Sequence, residues 1–539
     1  MRAALTLVCL ILALPVLGIL ASWFVADAAA WQVLVHQATT VLPGYAGQSA
    51  LLAGGVAIGV ALMGAGAAAA VTLFDFPLRR QFEWALLLPL AMPAYVLAYA
   101  WTDALQFSSP LHAALRELLG RRGPLWPDVR SLWGAVLLFV LCLYPYVYLL
   151  TRTALGERAV QMMEAARLLG AGTRRRIAEV ALPLARPAIT AGVALALMET
   201  LADYGVGAFF GLTTFSTGIF KAWLVMNDGI AAAQLASVLL GVVAALLAAE
   251  RAAQARMRFA ASRSGAQHAA DARPLRLRGA GAAFAFGLCA LPVMAGFVLP
   301  VAWLAWMLWQ EAHNAELGLP LARFVEWAWA SLRLSASAAV LAAALALALA
   351  FALRQGRGVV LRGASRVLSL GYAVPGAVLA IGILLPMGWL QQRWPQWPIA
   401  AAFTGTLLGV MVAYLARFSA VALQSVEAGY ARIPMAVDET ARMLGARPWR
   451  LFSQLHAPLL RRSMLAAALL VFVDVMKELP ATLVLRPFGS DTLAVVAFNL
   501  ARDERLGEAA MPALAIVAVG LIPVVMLSRA LRSGAPATS

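Results

Sequence analysis

The chain has 539 residues, of which 63% are hydrophobic and only 13% are charged, whereas soluble domains carry about 25% charged residues. This composition excludes a water-soluble protein, so most of the chain must lie in lipid. The net charge of +16 comes almost entirely from arginines in short runs between apolar stretches, which excludes a continuous basic surface for nucleic acid.

Apolar stretches long enough to cross a membrane recur along the whole chain. A spanning helix needs about 20 apolar residues, and about twelve such stretches are present. They cover Ala3–Val25, Ala50–Leu73, Trp84–Trp101, Ser131–Leu150, Pro187–Phe210, Ile230–Ala249, Gly279–Trp309, Trp329–Leu353, Val367–Leu390, Ile399–Ser419, Met464–Leu485 and Met511–Leu527. The sequence therefore predicts an all-α integral membrane protein with about twelve transmembrane helices.

The first of these stretches also resembles a cleavable secretory signal. Arg2 precedes it, and the small residues Ala26-Asp27-Ala28 follow it. A signal sequence has an apolar core of about 7–15 residues, and this stretch is longer, with about 23. We therefore expect an uncleaved first transmembrane helix.

Basic loops indicate the orientation in the membrane. The arginines that fall on one side are Arg79, Arg80, those of the segments Arg152–Arg186, Arg251–Arg278, Arg354–Arg362 and Arg432–Arg462, and those of the tail Arg529–Arg532. Fewer fall on the other side, among them Arg116, Arg121 and Arg122. Because basic loops stay in the cytoplasm, we expect a multi-pass membrane protein with both termini cytoplasmic.

One long polar stretch, Glu250–Arg278, separates two halves with similar numbers of apolar stretches. We therefore predict a first transmembrane domain over residues 1–249, a cytoplasmic linker over 250–278 and a second transmembrane domain over 279–539.

Two polar loops are copies of one another. The first loop is Glu164–Pro187 (EAARLLGAGTRRRIAEVALPLARP), and the second loop is Glu439–Arg462 (ETARMLGARPWRLFSQLHAPLLRR). The two align without a gap, and ten of the 24 aligned positions are identical, whereas chance would give about two. This repeat at one constant offset indicates that one transmembrane unit has been duplicated.

Each loop has the sequence of two short helices. Gly170 and Gly445 follow good helix formers and offer the left-handed conformation that ends a helix. A second helical stretch is expected to end near Pro183, where the missing N–H marks a turn into the next span. An ordinary basic loop needs no fixed distance from glycine to proline, so the repeat predicts a surface for docking a protein.

Four carboxylates lie in the spans that follow the two loops. They are Glu199 and Asp203 in the first half and Asp474 and Glu478 in the second, and they obey the same offset as the loops. A spacing of four residues places each pair on one helix face. The first carboxylate of each pair lies ~15–18 Å along its helix, near the middle of a ~30 Å hydrocarbon core.

Two interpretations of these carboxylates are open. Oxygen ligands that face a shared axis would suit a hard cation on a substrate pathway. Alternatively, the carboxylates cap a break in the helix or pair with Lys477, and Pro480, Gly205 and Gly207 favour such a break. No other metal site is indicated, because the three cysteines and five histidines are scattered.

The Glu-Ala-Ala…Gly motif of the two loops resembles the signature of binding-protein-dependent ABC importer permeases. The matching positions are Glu164, Ala165, Ala166, Gly170, Glu439, Thr440, Ala441 and Gly445, where Thr440 replaces the family's first alanine. The resemblance implies a fused pair of MetI-like permease domains. It also implies that these residues couple the chain to ATP-binding subunits.

The sequences around the carboxylates are similar to the ferric-iron subgroup of these permeases. The similar runs are Asp203–Gly205, Phe215–Ile219, Lys477–Leu483 (KELPATL), Leu485–Pro487 and Thr492–Ala494. The resemblance implies iron as substrate, although thiamine, polyamine and phosphonate permeases have overlapping patterns.

The sequence has no Gly-Lys pair and hence no phosphate-binding loop. We therefore expect a transport subunit that is not an enzyme and binds no cofactor, with ATP used by a partner subunit. The expected partners are an ABC ATP-binding subunit in two copies, a periplasmic substrate-binding protein and membrane lipid, but no nucleic acid. An ion-driven secondary transporter is the alternative of another class, but it would not need duplicated docking loops.

Overall fold

The computed structural model describes residues 2–25, 28–156, 160–261, 275–314, 318–356 and 358–533. Residues 26 and 27 of the signal-like triplet and residues 262–274 of the predicted linker lie outside this range. The helices of the first half are α1 (Arg2–Val25), α2 (Ala28–Thr39), α3 (Leu42–Leu73), α4 (Arg79–Ala85), α5 (Ala94–Leu105), α6 (Pro110–Leu119), α7 (Leu132–Ala154), α8 (Val160–Leu168), α9 (Thr173–Arg176), α10 (Leu182–Ala202), α11 (Gly205–Phe209), α12 (Phe215–Phe220) and α13 (Gly229–Ala261).

The second half continues with a similar series of helices. They are α14 (Ala280–Val293), α15 (Leu299–Asn314), α16 (Leu321–Arg354), α17 (Val359–Leu368), α18 (Gly376–Arg393), α19 (Ile399–Thr404), α20 (Leu408–Tyr430), α21 (Met435–Met443), α22 (Pro448–Arg450), α23 (Ala457–Met476), α24 (Pro480–Leu485), α25 (Leu493–Arg502) and α26 (Leu506–Ser533). Two short strands, β1 (Phe74–Asp75) and β2 (Leu275–Arg276), pair in parallel.

Several helices contain or join turns of a different pitch. Turns of 3-10 helix lie at Leu88–Ala91 and Gly371–Ala373, and π-helical turns lie at Ile177–Ala181, Lys221–Val225, Met294–Val298 and Leu451–His456. The turn at Met294–Val298 joins α14 to α15, so one of the predicted spans is a single long helix with an internal π turn.

The fold class predicted from the sequence is confirmed as an all-α membrane protein. Within the described ranges, nine helices are long and apolar enough to cross a membrane. They number ten if Arg79–Ala91 and Ala94–Leu105, which meet at 92°, form one broken span. The other two predicted spans fall on α18 and α23, which have 18 and 20 residues, and polar residues lie near the end of α18 and near both ends of α23.

The chain packs into two compact units, and each unit takes segments from both halves of the sequence. The first unit consists of Met1–Ala38, Gly218–Leu240 and Pro320–Val496. The second consists of Thr39–Thr217, Gly241–Leu319 and Ala497–Ser539. The predicted boundaries at residues 249 and 278 describe the duplicated sequence and stay a prediction.

In the first unit, the amino-terminal helix α1 packs against α18 of the second half. The two backbones are very close where Gly382 meets α1, because a Cβ at this position would lie 2.1 Å from the carbonyl oxygen of Pro15. Small residues at such crossings allow the close helix packing that is typical of membrane proteins. The contact attaches the first helix of the chain to the second half.

Alanine substitutions at two glycines of α18 should have opposite effects on stability. Gly382→Ala forces α1 and α18 apart, which should lower the free energy of unfolding by about 1–3 kcal/mol. Gly388→Ala is the matched control, because no atom lies within 4 Å of the added Cβ, and it should raise helix stability by up to about 1 kcal/mol. Thermal unfolding of both variants in one detergent measures the difference, and equal shifts would contradict the close crossing.

In the second unit, α7 packs between α3 and α10. Glycines again form the contacts. A Cβ at Gly64 of α3 would lie 2.7 Å from the carbonyl oxygen of Tyr144, and one at Gly192 of α10 would lie 2.6 Å from the Cα of Val147. This packing fixes the middle of α10, a few residues after the first loop ends at Pro187.

Candidate functional site

The helix that opens the first loop ends at a left-handed glycine, as predicted. After α8, Gly170 has a φ of +81°. Its N–H donates to the carbonyl of Arg167 at 2.9 Å, and the N–H of Ala171 donates to the carbonyl of Ala166 at 3.0 Å. This pair of bonds is the Schellman arrangement, which satisfies the last carbonyls of a helix.

The second loop repeats this geometry. After α21, Gly445 has a φ of +80°. Its N–H donates to the carbonyl of Arg442 at 2.9 Å, and the N–H of Ala446 donates to the carbonyl of Ala441 at 3.0 Å. Every donor and every acceptor is the aligned counterpart of one in the first loop, so the two loops share a backbone shape as well as a sequence.

The prediction of a turn near Pro183 is wrong. The stretch after the first glycine runs without interruption from α9 through the π-helical turn Ile177–Ala181 into α10, with Pro183 in the first turn of α10. The π-helical turn directly before Pro183 changes the hydrogen-bonding pattern of the helix, so the helix continues past the proline. The second loop is the same, with Pro458 in the first turn of α23 after the turn Leu451–His456.

Each loop exposes two large apolar side chains immediately before its glycine. Leu168 and Leu169 are 83% and 88% exposed, and the equivalent Met443 and Leu444 are 88% and 83% exposed. These four side chains lie outside the candidate membrane spans. Exposed apolar groups of this kind, surrounded by polar residues, are typical of a surface that binds another protein.

The structure places the signature residues on the same short helices. Glu164, Ala165 and Ala166 lie in α8, whereas Glu439, Thr440 and Ala441 lie in α21. The residues with exposed side chains are Ala165, Glu439 and Thr440, and those half-buried are Ala166 and Ala441. The Thr440 hydroxyl donates to the carbonyl of Ala436 at 2.8 Å, so the change from alanine is accommodated within the helix.

The spans that follow the two loops are broken, as the glycines and Pro480 predict. In the second half, α23 ends at Met476 and α24 begins at Pro480. Glu478 lies in this break and is buried. Its Oε1 accepts the N–H of Ala481 at 3.0 Å, and its Oε2 accepts both the N–H of Thr482 at 3.1 Å and the Thr482 hydroxyl at 2.6 Å.

A buried arginine compensates the charge of Glu478. Arg417 of α20 places Nη1 3.4 Å from the Glu478 Oε1. Gly376 leaves the room for this pair, since a Cβ there would lie 2.6 Å from the same carboxylate oxygen. Sequence reasoning missed Arg417, although a lone arginine inside an apolar stretch is a signal for such a partner.

The break in the first half is built around Asp203. Helix α10 ends at Ala202, and the Asp203 Oδ1 accepts the N–H of Val206 at 2.8 Å at the start of α11. The two carboxylates of each predicted pair therefore do not share a helix face, because the helix ends between them. The prediction from the four-residue spacing is wrong for this reason.

The remaining two carboxylates lie in the helices before the breaks. Asp474 is half-buried and pairs with Lys477 at 2.9 Å. Glu199 is half-buried in α10. Capping is thus confirmed for Asp203 and Glu478 and pairing for Asp474, while a substrate pathway lined by these residues stays a prediction. Within the part of the chain that the structure describes, no three His, Cys, Asp or Glu side chains are placed to hold a metal ion.

Two stretches of the chain match one known family. Residues 61–258 and residues 339–532 match the family described as "Binding-protein-dependent transport system inner membrane component". Together they cover well over half of the chain, and each contains one loop and the helix break that follows it. The chain belongs to this family. It is a multi-pass permease with two tandem copies of the family's domain, as the duplication predicted.

Permeases named for ferric-iron transport and for phosphonate transport are among the curated relatives of this chain. The "Fe(3+)-transport system permease protein FbpB 2" of Haemophilus influenzae is 23% identical over 476 residues, which are 88% of this chain and 87% of the relative. The "Putative 2-aminoethylphosphonate transport system permease protein PhnV" of Salmonella typhimurium is 32% identical over 178 residues, 33% of this chain and 64% of the relative. The corresponding PhnU protein is 26% identical over 152 residues, 28% of this chain and 53% of the relative.

Proposed function

We propose that the permease imports ferric iron across the bacterial inner membrane. The observation that carries this proposal is the extent of the similarity to the Fe(3+)-transport relative, which spans both tandem units and 88% of the chain. The phosphonate relatives align with a third of the chain or less. The runs around Asp203 and Glu478, which are similar to ferric-iron permeases, support the same substrate.

The energy for import is supplied by a separate ATP-binding subunit that docks, in two copies, on the first and second loops. The matching glycine geometry and the exposed Leu168, Leu169, Met443 and Leu444 support this role. In this proposal Glu164, Ala165, Ala166 and Gly170, with their counterparts Glu439, Thr440, Ala441 and Gly445, form the coupling segments. Both loops and both termini then lie in the cytoplasm, in agreement with the distribution of arginine.

Transport then follows from the continuity between each loop and the next span. A periplasmic binding protein delivers the substrate to the outer face, and closure of the ATPases moves the two loops. Because α9 continues into α10 and α22 into α23, a movement of either loop reaches the helix break without an intervening flexible turn. Glu199, Asp203, Asp474 and Glu478 lie in or next to these breaks and are the proposed substrate-pathway residues.

A second candidate substrate is 2-aminoethylphosphonate. It is favoured by the higher identity, 32%, of the phosphonate relative over its shorter alignment. At neutral pH this compound carries a negatively charged phosphonate as well as a positively charged ammonium group, so its passage would need cationic side chains in addition to acidic ones. The choice between the two substrates can be made directly by an uptake assay.

The deciding experiment is uptake into proteoliposomes that contain the permease and the ATP-binding subunit that copurifies with it. We expect ATP-dependent accumulation of radiolabelled ferric iron when an iron-binding periplasmic protein is present, and none of labelled 2-aminoethylphosphonate. An ATPase variant that cannot hydrolyse ATP is the control. Accumulation of iron by the permease without any ATPase would show an ion-driven transporter and overturn the proposal.

A further inference from the structure

A buried ion pair lies beneath the second loop. Asp438 of α21 is 2% exposed, and it faces Arg354, the last residue of α16. The Arg354 Nε donates to Asp438 Oδ2 at 2.8 Å, and Nη2 donates to Oδ1 at 3.0 Å. Such a two-point contact between guanidinium and carboxylate has one favoured geometry. It therefore fixes the direction of α21 relative to the end of α16.

The same guanidinium also binds the backbone on either side of the turn that leads into α21. Its Nη1 donates to the carbonyl of Tyr430 at 3.3 Å, and Nη2 donates to the carbonyls of Ile433 at 2.9 Å and Pro434 at 3.0 Å. Arg354 thus joins the end of α16, the end of α20 and the start of α21. A lysine at this position would keep the charge but not this planar fork of donors.

His456 lies next to the carboxylate of the Arg354–Asp438 pair. It is fully buried, its Nε2 lies 3.5 Å from Asp438 Oδ1, and its ring packs against Phe351 and Tyr430. Burial lowers the pKa of the His456 imidazole, an effect that Asp438 partly opposes. The charge of Asp438 is offset by the guanidinium of Arg354.

The first loop has apolar side chains at these positions. The equivalents are Met163 for Asp438, Ala181 for His456 and Leu155 for Tyr430. All three belong to one buried apolar cluster beneath α8, together with Leu73 and Ala185. At these three positions the first loop is therefore packed through apolar contacts, which have no preferred direction.

The arginine itself is present in both halves. Arg79 is the aligned counterpart of Arg354, in the related sequences Phe76–Arg79 (FPLR) and Phe351–Arg354 (FALR). With no carboxylate at position 163 to bind, the Arg79 Nε donates instead to the carbonyl of Val71 at 2.6 Å. Its Nη2 lies 3.6 Å from Glu83 Oε1. Both halves therefore carry the arginine, and in the second half it binds a carboxylate of the loop.

The ion pair is next to the coupling signature of the second loop. A pocket of about 370 Å³ is lined by Arg354 and Asp438 together with Glu439, Arg442, Gln355 and Arg362. Arg442 donates to the side-chain oxygen of Gln355 at 2.6 Å. A movement of α21 would therefore displace Arg354 and, with it, the end of the spanning helix α16.

We propose that Arg354 and Asp438 are positioning residues that lock the second loop to α16, so that a movement of this loop is passed to the spanning helix through a buried ion pair. This inference rests on the proposed function, in which both loops dock ATP-binding subunits. It assigns a role to two residues outside the signature motif, at positions where the first half carries Arg79 and Met163.

The test compares Asp438→Asn with Asp503→Asn in the full complex in proteoliposomes. Asp503 lies in an exposed contact with Arg502 at 3.8 Å, so its substitution removes one carboxylate charge without touching either loop. We expect Asp438→Asn to lower the iron transported per ATP hydrolysed by about tenfold. The reason is that the substitution leaves the buried charge of Arg354 uncompensated and so weakens the attachment of α21 to α16. Asp503→Asn should leave the ratio unchanged, and Arg354→Lys should give an intermediate value.

A second readout separates this inference from the proposed function. A nitroxide label on Leu444→Cys or Leu169→Cys reports the mobility of each loop in the permease alone, and the three native cysteines are buried. Asp438→Asn should mobilise the label at position 444 and not the label at 169. If the wild-type complex transports iron and Asp438→Asn changes neither the label at 444 nor the transport ratio, the lock is refuted. If the wild type transports no iron but the label at 444 is mobilised, the proposed substrate fails and the lock stands.

Discussion

Replacing Gly170 or Gly445 by valine should separate ATP hydrolysis from uptake while the complex still assembles. Both glycines have a φ near +80°, a conformation that costs an ordinary residue roughly 1–2 kcal/mol and suits β-branched residues least. The valine would shift the end of α8 or α21 and move the exposed apolar pair beside it. Iron uptake and ATP hydrolysis are measured in the same proteoliposomes, and their ratio is the iron transported per ATP hydrolysed. This ratio should fall about tenfold or more, because the turn unwinds to relieve the backbone strain.

Gly172→Val is the matched control for this prediction. Gly172 lies two residues after Gly170, its φ is not in the left-handed region, and no atom lies within 4 Å of an added Cβ. The same side chain is thus added to the same exposed loop without backbone strain, so coupling should be retained. Tight coupling in Gly445→Val would refute the coupling role of the second loop.

The sequence contained enough information for the repeated loops because their chemistry is local. A glycine after a run of helix formers is the ordinary way to end a helix, and both Gly170 and Gly445 adopt the expected conformation. The helix breaks before Gly205 and Pro480 were predictable for the same reason. In each case the residue type itself limits the backbone.

Features that depend on distant contacts could not be predicted in this way. Hydropathy finds α1 and α18 as apolar segments but does not show that they cross at Gly382. The spacing of Glu199 and Asp203 suggested that both lie on one face of a single helix. Asp203 instead caps the next helix, α11, and it therefore lies after the last residue of α10. Likewise Pro183 suggested a turn, although the π-helical turn before it lets the helix continue.

The two halves also differ at positions that matter for the structure. An alignment of the loops draws attention to identical positions such as Glu164 and Glu439. The repeat does not point to Asp438, because its aligned counterpart is Met163, and yet this difference marks a contact that holds the second loop. In a duplicated chain, positions that change from apolar to charged are therefore as informative as those that are identical.

The second large effect is expected at the helix break of the second half, where Glu478→Ala should destabilise the folded permease. The variant leaves Arg417 buried without its carboxylate and removes the acceptor from the N–H groups of Ala481 and Thr482. Loss of one partner of a buried ion pair costs about 3–5 kcal/mol. Thermal unfolding of the purified permease in detergent should show a large decrease in the midpoint, accompanied by loss of uptake.

Three further variants distinguish a structural carboxylate from one on the substrate pathway. Glu478→Gln keeps the shape and one acceptor oxygen, so it should assemble, with lower uptake and a loss of about 1–3 kcal/mol for the donor left unpaired. Glu199→Gln and Asp474→Asn change residues that cap no helix in the described structure, and each should leave the unfolding midpoint nearly unchanged. If either one lowers iron uptake at constant stability, the pathway passes that residue. If Glu478→Ala unfolds at the wild-type temperature, the buried pair with Arg417 does not hold the break together, and the capping role assigned to Glu478 is wrong.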